Sequence, residues 1–97
     1  MRVDELKGLL DRGETPVVLD VREAGELASE PYPFEVLHVP MRELPRRVSE
    51  LPRGVRIVCA CRSGARSAQV THWLRRQGLD AVNLEGGFLA WSQRFPR

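Results

Sequence analysis

Apolar and polar positions change period several times along the chain, and each change marks an element. From Val3 to Leu10 the apolar residues stand at 3, 6, 9 and 10 with charges between them, a spacing that predicts a short amphipathic helix closed by Gly13. After Pro16 the run Val17-Val18-Leu19 is too short for a helix and rich in β-branched residues, so it predicts a buried strand ending at Asp20. Asp20-Val21-Arg22-Glu23 has the spacing of a capping box, which predicts Asp20 as the N-cap of a helix over about 23–29.

Residues 30–35, Glu-Pro-Tyr-Pro-Phe-Glu, predict an ordered surface loop. Val36 to Val39 predicts a short strand stopped by Pro40. Apolar residues at 41, 44, 48 and 51 have a helical period, but Pro45 cannot sit inside a helix, so a turn and then a helix from about Pro45 are expected. Val55 to Ala60 predicts a second strong strand. A helix over 65–77 follows, with Val70, Trp73 and Leu74 inward, Arg75 and Arg76 outward, and Gly78 as its cap. Residues 80–84 predict a last strand, and Gly86-Gly87 leads into a helix holding Phe88, Leu89 and Trp91. Strands alternating with helices give the α/β class, a central mostly parallel sheet with helices on both faces. In such sheets ligands sit outside the carboxyl ends of strands, and Cys61 falls at one of those ends.

Composition narrows the picture. A chain of 97 residues suits one domain, residues 1–97, and its 42% hydrophobic and 29% charged content is that of a folded protein. The net charge is +2 and the 15 basic residues are spread among acidic ones, so no nucleic-acid partner is expected. No run approaches the ~20 apolar residues of a membrane span, and the first residues lack the apolar region of a signal peptide, so no membrane partner and a cytoplasmic location are expected. Two cysteines at i and i+2 of a strand point the same way at the limit of disulfide reach, and they are too few for a structural zinc. Free thiols and no metal site are expected, with His38 packed or hydrogen-bonded.

The chemistry gathers in Cys61-Arg62-Ser63-Gly64-Ala65-Arg66-Ser67. A cysteine is nucleophilic as the thiolate, and its pKa falls from about 8.5 towards roughly 3.5 to 7.5 at a helix N-terminus beside cations. Amides from 62 to 66 can wrap the sulfur, Gly64 permits a conformation other residues resist, and the next helix adds its positive end. Arg62 and Arg66 belong to this loop, and Cys59 is a packed, inert thiol.

These residues resemble the active-site loop of single-domain rhodaneses, the rhodanese-like sulfurtransferases. Leu19-Asp20-Val21-Arg22-Glu23 is similar to the first-strand motif of that family, and Gly78 to Trp91, with Leu84-Glu85-Gly86-Gly87, is similar to its C-terminal part. The resemblance spans nearly the whole chain and implies the rhodanese-like fold. It also implies that Cys61 takes a sulfane sulfur from a small anionic donor such as thiosulfate, or from a persulfide donor, and passes it from a Cys61 persulfide to cyanide, a thiol or a sulfur-acceptor protein. Arg62, Ser63, Gly64, Ala65, Arg66 and Ser67 would bind the substrate, Asp20 and Arg22 would support the loop, and no cofactor is implied. The family usually has Gly-His-Ile-Pro-Gly-Ala after its first helix, where this chain has Ser29 to His38. Phosphatases and arsenate reductases of the same fold are the alternative enzymes. The phosphatase loop has five residues between cysteine and arginine; here Arg66 follows after four, with Ser67 in the arginine's place. A sulfur-carrier or regulatory binding module is the non-enzymatic alternative.

Overall fold

The structure, a computed structural model, describes residues 1–96; Arg97, the last residue of the expected domain 1–97, lies outside the described residues. Helix α1 (Val3–Asp11) precedes strand β1 (Val17–Asp20), and α2 (Ala24–Ser29) precedes β2 (Leu37–His38). A 3-10 turn at Met41–Glu43 leads into α3 (Leu44–Arg47), and a second at Val48–Glu50 follows it. Then come β3 (Ile57–Ala60), α4 (Ala65–Arg76), β4 (Ala81–Asn83) and α5 (Gly87–Arg94). Pro45 is accommodated in the first turn of α3, where its missing N–H costs no helical hydrogen bond.

The four strands form one all-parallel sheet in the order β2-β1-β3-β4. The central pairing sets Val17 opposite Ile57 and Asp20 opposite Ala60, so β1 and β3 end at the same level and their carboxyl ends open onto one edge. Both faces are covered, which is why these two strands read as unbroken apolar runs. On one face Leu19, Ile57 and Cys59 pack with Leu44, Val70 and Leu74 of α3 and α4; on the other, Val18, Val58 and Ala60 pack with Leu6 and Trp91 of α1 and α5. Each fully buried aliphatic side chain here stabilises the fold by about 1.5–3 kcal/mol.

Two boundaries and one side-chain contact add to or differ from the sequence pattern. Strand β3 starts at Ile57, because Val55 is 44% exposed and outside the ladder. Arg75 is exposed as expected, yet its Nε donates to the Ala81 carbonyl at 2.8 Å and so closes part of the free edge of β4. The expected capping box at Asp20 is displaced: α2 begins at Ala24, its N-cap is Glu23, and Glu26 Oε1 accepts from the Glu23 N–H at 3.1 Å. Asp20 cannot cap α2, because the chain stays extended past it, with the Val21 N–H donating to Ala60 at 3.0 Å, and its carboxylate is committed to Arg22. Among the described residues no helix is long and apolar enough to cross a membrane, and no cluster of three metal-ligating side chains occurs.

Candidate active site

Cys61 is the first residue past β3, and the chain turns there into α4 through Gly64, which takes φ +95°. Only glycine adopts that conformation without strain, and a Cβ at Gly64 would also lie 2.9 Å from the Gly86 nitrogen. The turn folds the loop back over the sulfur. The Gly64 N–H donates to Cys61 Sγ at 3.1 Å and the Ser67 N–H at 3.4 Å, while Ser67 Oγ stands 3.2 Å away. Cys61 is wholly buried beneath these groups. Burial pushes its thiol up, but the Ser67 hydroxyl and the amides of Ser67, Gly64 and Ser63 outweigh that and bring the pKa below its ordinary value. The other thiol is moved the opposite way. Burial drives Cys59 up to about 11, opposed only by Thr71 and Arg75, which keeps this thiol protonated in its packed strand environment. Both cysteines are free.

The cradle is braced from three sides. Asn83 at the end of β4 donates its Nδ2–H to the Gly64 carbonyl at 3.1 Å and sets Oδ1 2.6 Å from Ser67 Oγ. From α5, the Phe88 N–H donates to the Cys61 carbonyl and the Leu89 N–H to the Arg62 carbonyl, each at 3.0 Å. These bonds point the loop carbonyls away from the sulfur and leave the amides facing it. From the 30–35 loop, the Tyr32 hydroxyl donates to the Cys61 carbonyl at 2.9 Å, and the burial of Tyr32 raises its pKa, so the phenol stays protonated as that bond requires.

Beside the cradle, Asp20 and Arg22 form a wholly buried ion pair, with Arg22 NH2 2.7 Å from Asp20 Oδ2. Arg22 also donates to the Glu30 carbonyl at 2.9 Å and lies over the rings of Tyr32 and Phe88, while His38 Nε2–H donates to the Arg22 carbonyl at 2.7 Å. The pair therefore ties β1 to β2 and to the loop that carries Tyr32. Arg62 and Arg66 do flank the cysteine, but each is already partnered: Arg66 is bidentate to Glu26 at 2.7 Å on both oxygens, and Arg62 Nε meets Glu30 at 2.8 Å.

The structure thus brings the Cys61–Ser67 loop, Asp20 and Arg22 into one neighbourhood at the carboxyl ends of β1 and β3. Tyr32 and Asn83 brace the loop backbone, and Glu26 and Glu30 pair with its arginines from outside the cradle, contacts absent from the sequence reading. The acidic spacing of residues 20, 23, 26 and 30 was the available signal for the last two; Tyr32 and Asn83 are distant in sequence and only the fold places them.

The profile of the Rhodanese-like domain matches residues 2–94. A protein of Allochromatium vinosum named sulfurtransferase is 41% identical over 81 residues, covering 82% of this chain and 75% of its own. A rhodanese-like domain protein from Staphylococcus aureus superposes with a TM-score of 0.87 at 34% identity, over 94% of this chain and 88% of that one. An NAD-dependent persulfide reductase from A. fulgidus superposes with a TM-score of 0.76 at 36% identity, over 94% of this chain but 15% of that one.

Proposed function

Since the chain belongs to the Rhodanese-like domain family, we propose that it is a sulfurtransferase in which Cys61 takes a sulfane sulfur from thiosulfate or a persulfide donor and passes it to cyanide or a thiol. The observation that carries this reading is the convergence of the Gly64 and Ser67 amides and the Ser67 hydroxyl on Cys61 Sγ within 3.4 Å. Donors so placed favour a thiolate as attacking group, and they favour a persulfide anion equally, since both carry their charge on sulfur. The Cys61 thiolate attacks the sulfane sulfur, a new S–S bond forms, and the donor leaves with the electron pair of the bond that breaks. In the second half, cyanide or a thiolate attacks the outer sulfur and Cys61 departs as thiolate, ready for another cycle. Asn83, Tyr32 and the first amides of α5 hold the cradle in shape across both halves.

A phosphatase reading has less support. A phosphate site needs a guanidinium free to take two oxygens, whereas Arg66 gives both its terminal nitrogens to Glu26 and Ser67 is held between Asn83 and the sulfur.

Incubation with thiosulfate or glutathione persulfide, followed by intact mass, tests the proposal. One sulfur atom should be gained at Cys61, lost on adding cyanide with release of thiocyanate, retained in Cys59→Ala and absent in Cys61→Ala. Absence of any adduct, with hydrolysis of p-nitrophenyl phosphate, would replace it by the phosphatase reading; absence of both would favour a binding module.

A further inference from the structure

The segment from 20 to 30 holds four carboxylates, at 20, 23, 26 and 30, and each meets a different arginine. Asp20 pairs with Arg22 at 2.7 Å, Glu23 with Arg42 at 3.1 Å, Glu26 with Arg66 at 2.7 Å and Glu30 with Arg62 at 2.8 Å. The last two arginines are the loop charges that the sequence assigns to an anionic donor. Glu26 is held in place from behind, since its Oε1 also accepts the Glu23 N–H that starts α2. Arg66 in turn pulls the Glu26 carboxyl down to about 2, so the pair stays ionised wherever Cys61 can act as a thiolate. One carboxylate thus answers each arginine around the cradle, and the mouth of the site carries no surplus positive charge.

We infer that Glu26, with Glu30, determines donor specificity: by neutralising Arg66 and Arg62 at the mouth of the cradle, it turns the site from the thiosulfate dianion towards organic persulfides whose carrier is uncharged. The inference rests on the persulfide reading of Cys61 and specifies its donor class. Charge bookkeeping gives the reason. With an organic hydropersulfide, the Cys61 thiolate attacks the outer sulfur, the carrier leaves as its thiolate with the electron pair, and the proton stays on the transferred sulfur. The total charge is −1 throughout. With thiosulfate the same attack expels sulfite, and the assembly carries −3 throughout, two of those charges leaving on sulfite. The amides serve both donors alike, so the extra repulsion has to be offset by net positive charge at the mouth, and there Glu30 and Glu26 balance Arg62 and Arg66.

Single-turnover loading of Cys61, followed by intact mass, tests this with thiosulfate and with N-acetylcysteamine persulfide at low and high potassium chloride. In the wild type, thiosulfate loading should vary less than about twofold with salt, since a neutral mouth gives little steering to screen. Glu26→Gln keeps the capping acceptor but releases Arg66; it should speed thiosulfate loading about five- to tenfold at low salt, a gain that salt abolishes. Its rate with N-acetylcysteamine persulfide should stay within about twofold of wild type, because no extra anion is steered. Glu30→Gln, which frees Arg62 without touching α2, should act in the same direction and guards against a folding defect in the first variant. If both variants fold by circular dichroism and neither accelerates thiosulfate loading, the inference is overturned while the persulfide reading stands. If neither donor loads wild-type Cys61, the persulfide reading falls and takes the inference with it.

Discussion

Cys59 and Cys61 stand two positions apart on one face of the sheet, and their surroundings drive their protons in opposite directions. Burial alone would raise both. Cys59 has the Thr71 hydroxyl alone beside its sulfur, whereas Cys61 has backbone amides as well as a hydroxyl, and there they prevail; Cys59 is left at about 11. Alkylation follows the thiolate fraction. Iodoacetamide labelling mapped by mass spectrometry should therefore reach half its limiting rate at Cys61 below the ordinary thiol value of about 8.5, while Cys59 stays unlabelled through pH 10. A hydrogen bond to a charged group is worth about 1.5–3 kcal/mol, and the single Ser67 proton is shared between Asn83 Oδ1 at 2.6 Å and the sulfur at 3.2 Å, so Ser67→Ala should move the Cys61 midpoint up by at most about one pH unit. The contrast between the thiols was legible in the chain, because Gly64 and a helix start follow only Cys61. The part of Asn83 was not. Its side chain meets Ser67 and Gly64 solely because β4 lies beside β3.

Among the elements, α5 matters less for the area it buries than for how its first turn meets the cysteine loop. Gly87 takes φ +55°, and a Cβ there would sit 2.5 Å from the Cys61 carbonyl oxygen and 2.8 Å from that of Arg62. Both oxygens are backbone and cannot swing aside. Gly87→Ala should therefore destabilise the fold by about 2–4 kcal/mol, the positive φ and the steric clash combined, and sulfur loading should fall with it. Gly54→Ala, at φ +78° with open space around it, should cost only about 1–2 kcal/mol. Urea unfolding of the two variants gives the comparison. Periodicity located every helix and strand to within a few residues, since amphipathic and buried runs differ in length and spacing. The cap of α2 was assigned to Asp20 instead of Glu23 because an Asp-x-x-Glu spacing looks the same whether the aspartate caps a helix or accepts a guanidinium. The choice depends on burial, which a local pattern does not encode.

On the scale of the whole molecule, Asp20 and Arg22 act as the joint between sheet, loop and cradle. Both are wholly buried, and Arg22 reaches Glu30, Tyr32 and Phe88 while its carbonyl receives His38. Removing one partner leaves the other charge uncompensated. Asp20→Ala should destabilise by about 3–5 kcal/mol, well beyond the 0.5–2 kcal/mol of a lost helix cap, and urea unfolding separates the two. The resemblance in sequence pointed to this pair without revealing its reach, because its partners at 30, 32, 38 and 88 are joined only through the parallel topology.

The ties from Phe88 and Leu89 to the carbonyls of Cys61 and Arg62 also set an order in time. During synthesis Cys61 leaves the ribosome roughly 25 residues ahead of the amides that fix its loop, a delay on the order of seconds at about 5–20 residues per second. Over that interval the loop carbonyls have no α5 partners, and nothing from α5 holds the loop amides towards the sulfur. The nucleophile is thus made early and armed late, and a nascent chain halted before residue 88 should carry the cysteine without its reactivity.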